Sequence, residues 1–86
     1  MTMVIRVHEQ KDLIEKVKLV FSNYTDLDIV MGELASLGFL RTGGNPDILA
    51  LENTELELYI HINIDNNEKI LNYEVLTFDD IKKSLE

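Results

Sequence analysis

Asn63, Asp65, Asn67, Lys69, Ile70 and Glu74 fall at the first, third, fifth, seventh, eighth and twelfth positions of an EF-hand calcium loop. Oxygen ligands from the first, third and fifth positions, with a bidentate carboxylate at the twelfth, would enclose the ion, and the aliphatic residue at the eighth would pair with a sister loop. Three departures set that chemistry aside. The first position is Asn63 rather than Asp, the sixth is Glu68 where glycine makes the sharp turn, and both flanks read as strands. The two histidines, His8 and His61, have no third ligand of matching type at the spacing of a zinc site. His61 groups with Tyr59, Asn72 and Glu74 as a polar set able to hold or shuttle a proton. No nucleophile accompanies it: the chain has no cysteine, and Ser22, Ser36 and Ser84 fall on or beside helices. The expectation is therefore no catalytic, metal-binding or cofactor-binding residue, and no cofactor.

The element that must position these groups is a β-hairpin. Leu56, Leu58, Ile60, Ile62 and Ile64 share one parity, while Glu55, Glu57, Tyr59, His61, Asn63 and Asp65 share the other, as a strand buried on one side requires. A two-residue turn at Asn66 and Asn67 places Ile62 opposite Leu71, Ile60 opposite Tyr73 and Leu58 opposite Val75. On the other face it sets His61 across from Asn72, Tyr59 from Glu74 and Glu57 from Leu76. Upstream, a turn at Asn53 and Thr54 pairs Leu51 with Leu56 and Leu49 with Leu58, giving a three-stranded meander. Its weak point is Glu52 opposite Glu55, a like-charge pair.

Before the meander, Met3 to Val7 reads as a short strand. Gln10 to Ser22 switches to helical spacing, with a stripe of Leu13, Ile14, Val17, Val20, Phe21 and Tyr24. Thr25 is a candidate N-cap for a second helix, with Asp28 as its capping partner and Leu27, Val30, Met31, Leu34 and Leu37 as its apolar stripe. Gly38 and Phe39 read as a Schellman stop. Gly32 inside that helix implies either a close neighbour or a tolerated cost of about 1 kcal/mol. Phe39 to Thr42 reads as a brief strand and Gly43, Gly44, Asn45 and Pro46 as a loop. The chain closes with a short helix capped by Thr77, with Asp79 and Asp80 first and Lys82 and Lys83 last, followed by Leu85.

With 86 residues the chain has the size of one domain, residues 1–86, and the absence of cysteine fits a reducing, cytoplasmic setting. Neither a signal peptide nor an apolar run of membrane-spanning length is evident. The net charge is −8, and it is unevenly placed: Asp47 to Asp80 contains nine acids against the single base Lys69. Such a surface repels nucleic-acid backbones and attracts basic proteins or cations. The plainer account is that acidic residues keep a small protein in solution.

A helix ending in Leu37, Gly38 and Phe39, followed by a short strand, a glycine-containing loop and a β-meander over residues 27 to 77, resembles the HicA-type toxins, which have a double-stranded-RNA-binding-like fold. That family carries its catalytic histidine just after the loop glycine. Here Asn45 and Pro46 stand at that place, so the resemblance implies no RNA cleavage and no site residue for this chain.

The fold expected is α+β: an antiparallel β-meander of three long strands plus one or two short ones, with two amphipathic helices on one face and a short C-terminal helix. The function expected is a non-enzymatic protein–protein interaction module or inhibitor. It would present Glu55, Glu57, Tyr59, His61 and Glu74, together with Ile70 and Leu76, to a basic protein partner rather than to nucleic acid or membrane. The mixture of apolar and charged groups on that face resembles the core and rim of an interface, and the equal alternative is that the terminal helix folds over part of the face through Ile81 and Leu85. The alternative is a self-associating, homodimeric structural protein, and the third reading is a small metal-binding protein or enzyme.

Overall fold

The computed structural model describes residues 3–84, with side chains placed over residues 8–81. Two helices, α1 (Met3–Asn23) and α2 (Leu27–Ser36), precede four strands, β1 (Leu40–Asn45), β2 (Ile48–Asn53), β3 (Leu58–Ile64) and β4 (Ile70–Thr77), and a short helix α3 (Phe78–Ser84) follows. The strands form one antiparallel sheet in the order β1-β2-β3-β4, the expected α+β meander.

The strand expected over Met3 to Val7 is instead the start of α1. Nothing between Val7 and Gln10 stops a helix, and extending a nucleated helix costs far less than starting a separate element, so β-branched side chains are carried along. The cap of α2 is Asp26 rather than Thr25. Its carboxylate accepts from the N–H of Asp28 at 2.9 Å and of Ile29 at 3.3 Å, satisfying two of the donors a helix start leaves open. The stop of α2 is the expected one. Gly38 has φ +93°, its N–H donates to Ala35 O at 3.0 Å, and the N–H of Phe39 donates to Leu34 O at 3.1 Å, the paired bonds of a Schellman motif. Phe39 is thereby folded into the core. Gly32 has no neighbour close to its open side, so its place in α2 is a tolerated cost and not a packing requirement.

Leu13, Val17 and Val20 of α1, Val30 and Leu34 of α2, and Leu49, Leu51, Leu58, Ile60, Ile62 and Ile64 of the sheet form a single cluster with Phe39. Phe21 stacks on Tyr73 with ring centroids 3.9 Å apart and planes within 4°. Both helices thus cover one face of the sheet, as the parity of β3 requires.

The register differs from expectation at both turns of β3. Leu51 faces Ile60 and Leu49 faces Ile62, so the β2–β3 connection is the longer Thr54–Glu57 turn, and Glu52 stands opposite Tyr59 rather than making a like-charge pair with Glu55. Ile62 faces Tyr73, Ile60 faces Val75 and Leu58 faces Thr77, so the β3–β4 turn is also longer than Asn66 and Asn67 alone. Each offset is an even number of residues, which keeps every side chain on its expected face.

One irregularity is odd. Between the Asn63–Asn72 and Ile64–Ile70 pairs, β4 carries the extra residue Leu71. This β-bulge exchanges two side chains: Ile70, expected on the outer face, packs against the core cluster, and Leu71, expected inside, is 62% exposed. Gly43, Gly44 and Asn45, expected in a loop, belong to β1 and pair with Ala50, Leu49 and Ile48. Gly44 must be glycine there, with φ +111° and Ile48 O only 2.2 Å from where a Cβ would stand.

Candidate functional site on the open sheet face

The face of the sheet away from α1 and α2 is built in three cross-strand rows. Leu40, Glu52, Tyr59 and Leu76 form the first, Gly43, Ala50, His61 and Glu74 the second, and Asn45, Ile48, Asn63 and Asn72 the third. Two carboxylates stand in these rows, and neither lysine nor arginine does. Arg41 pairs with Leu51 and so belongs to the helix side. The floor is low where Gly43 meets Ala50, and apolar side chains rise beside it, with Leu40 71% exposed.

Of the residues singled out in the sequence, Tyr59, His61, Glu74 and Leu76 are brought together in two adjacent rows. His61 is directly opposite Glu74, and its ring centroid is 6.5 Å from that of Tyr59. Glu55 and Glu57 lie in the β2–β3 turn, at the end of the face and not on a strand. Glu57 holds the left-handed conformation, φ +56°, and its carbonyl accepts the N–H of Phe78 at 3.0 Å. Ile70 faces the helices and is removed from the site.

Sequence reading missed Leu40, Ile48, Ala50, Glu52 and Phe78. The first four were accessible in principle, since Ile48, Ala50 and Glu52 have the parity opposite to the buried Leu49 and Leu51 and only the bulged β1 hid Leu40. Phe78 shares the parity of Glu74 and Leu76 but falls past the end of the strand, in the expected terminal helix. Its ring stacks on Tyr59 at 4.5 Å between centroids, so the start of α3 covers part of the face. Thr77 caps that helix as expected, its hydroxyl accepting from Asp80 N at 3.0 Å while Asp80 accepts from Thr77 N at 3.1 Å. Leu85 lies outside the described residues.

The calcium-loop positions are not gathered round one centre. Asn63 donates to Asn72 across the strands, and Glu74 stands in the row of His61. Asp65 accepts from the N–H of Asn67 at 2.8 Å and of Lys69 at 2.9 Å. Those bonds, that of Lys69 foremost, hold its pKa below the ordinary carboxylate value, with the Lys69 charge adding and partial desolvation opposing. Glu68, where a calcium loop has glycine, takes the left-handed conformation itself at φ +62°. Among the described residues no group of three or more metal-ligating side chains assembles. Asn45, at the place of the toxin family's histidine, shapes a turn: its Oδ1 accepts from Asp47 N at 2.9 Å and Ile48 N at 3.0 Å.

Among the described residues no helix is long and apolar enough to cross a membrane. Comparisons with protein-family models, with curated proteins and with solved structures find no match to this chain.

Proposed function

We propose that the chain is a non-enzymatic interaction module that docks a basic protein through the open sheet face. One observation carries the reading: the three rows of that face combine exposed or half-buried apolar groups (Leu40, Ile48, Tyr59, Leu76) with Glu52 and Glu74 and no base. An apolar centre supplies contact area, and carboxylates of a single sign select a partner of the opposite sign and speed its approach. Self-association through the same face is the weaker reading, because a second copy would bring a second Glu52 and Glu74 against the first pair.

The test is an NMR titration with a lysine-rich peptide at low and at raised salt. Binding should shift the amides of Ala50, His61 and Leu76, weaken as salt screens the charges, and weaken again by about tenfold or more in a Glu52→Lys, Glu74→Lys double variant. Binding indifferent to salt and to those reversals would sink the proposal. Light scattering over a concentration series decides the rival: a dimer abolished by Leu76→Asp would favour self-association.

A further inference from the structure

The bulge in β4 creates a feature that the open face does not use. It turns Leu71 outward beside Tyr24, which is 39% exposed, and the two rim a cavity of about 330 Å³ that Phe21, Ile70 and Tyr73 help to line. The stacked Phe21 and Tyr73 rings make this notch a fixed apolar wall, since each is held by the other. It lies against β4, the last strand in the sheet order, whose outer edge pairs with no strand among the described residues. Edges of this kind offer a row of backbone donors and acceptors to any extended chain of matching character. Beyond the bulge, β4 runs regularly from Asn72 to Thr77. The strand and the turns that join it carry Glu68, Glu74, Asp79 and Asp80 against Lys69, and two further bases, Lys82 and Lys83, stand at the far end of α3.

We propose that the β4 edge receives an extended segment of a basic partner as a fifth strand, with one apolar or aromatic side chain of that segment seated in the notch between Tyr24 and Leu71. The inference rests on the basic-partner reading above and adds where and how the partner's backbone engages. Charge selects the occupant. A second copy of this chain would set Glu74 and its acidic neighbours against their own kind, whereas lysines alternating with an apolar anchor complement both the edge and the notch. The bulge has a use in this arrangement: by ending the regular ladder at Leu71 it fixes the register at which an added strand must stop and exposes the apolar group that marks the stop.

The probe is a short peptide of alternating lysine and valine with a central phenylalanine, compared with the same peptide carrying glutamate for lysine and with one carrying serine for phenylalanine. Amide exchange and chemical shifts are followed on the whole chain. The expected result is slowed exchange along residues 72–77, ring shifts at Tyr24 and Tyr73, and binding that falls about tenfold or more when the phenylalanine is removed. The variant Leu71→Ser, at an exposed position that does not threaten folding, should reproduce that loss with an unchanged melting curve, and Tyr24→Ala serves as the second variant. Shifts confined to Ala50, His61 and Leu76 would overturn the edge proposal and leave open-face docking intact. Equal binding of the glutamate peptide would remove the basic-partner reading, and with it this one. Absence of binding by the lysine peptide overturns the edge proposal outright.

Discussion

The two turns that flank β3 use the same local device and differ in everything around it. In the Thr54–Glu57 turn the side chain of Asn53 accepts from Leu56 N at 2.9 Å. In the turn beyond Ile64 the side chain of Asp65 accepts from Asn67 and Lys69. Each turn also places a glutamate in the left-handed conformation, Glu57 in one and Glu68 in the other. Asn53, however, is 5% exposed and donates from Nδ2 to the Leu37 carbonyl at 3.2 Å, tying the turn to the end of α2. Gln10 adds a bond from α1 to Leu56 O at 2.6 Å. The carboxylate and backbone of Asp65 bond to Asn67, Glu68 and Lys69, all within its own turn. A short side chain that closes a turn can therefore be a fastening of the whole fold or a purely local one, and burial decides which.

The largest expected effect breaks the first turn. Asn53→Ala removes both bonds and leaves the half-buried Leu37 carbonyl without this partner, and should cost about 2 kcal/mol in urea unfolding. Gly38→Ala follows at about 1–2 kcal/mol, because an L residue is strained at φ +93° and the added Cβ would stand 2.9 Å from Asn53 Nδ2. The pair sharpens the comparison. In the Asn53→Ala background the steric part of the Gly38→Ala cost has no partner, so the double variant should lose less than the sum of the two.

The second turn should respond to pH. The folded pKa of Asp65 is depressed, so its contribution is present above the unfolded value of about 3.9 and is lost as pH falls through the folded pKa. Asp65→Asn, compared with the parent chain by acid titration of stability, should lower stability at neutral pH, flatten that part of the curve, and leave the most acidic region nearly unaltered. The smallest effect is a gain. Glu68→Gly relieves the left-handed backbone and should raise stability by up to about 1 kcal/mol, partly offset by the greater freedom of the unfolded chain. A loss on Glu68→Gly would mean that the glutamate side chain matters to its turn.

What the sequence disclosed follows from the same contrast. The alternation from Leu56 to Ile64 identified the buried face of β3 because a single helix-covered side imposes a strict period of two. Turn length left no such imprint. Asn53 and Asp65 each close a turn longer than two residues, and offsets of an even number leave both faces consistent, so the sequence pattern fits either register. The bulge at Leu71 was hidden for the opposite reason: Ile70 and Leu71 are equally apolar, and exchanging them leaves no compositional trace. Glu74 and His61 were found together through their parity. Phe78 was not, since its place on Tyr59 comes from the Glu57 carbonyl binding its N–H across the fold.

The positions of the three tyrosines have a practical consequence. The chain has no tryptophan, so its near-ultraviolet absorption and emission come chiefly from Tyr24, Tyr59 and Tyr73. One stands at the notch rim, one lies on Phe78 at the open face, and one is stacked on Phe21 on the helix side. Replacing them singly with phenylalanine would resolve the spectrum into three local reporters. The molecule carries its own dyes, one at each of the places where a partner or an unfolding event would first be felt.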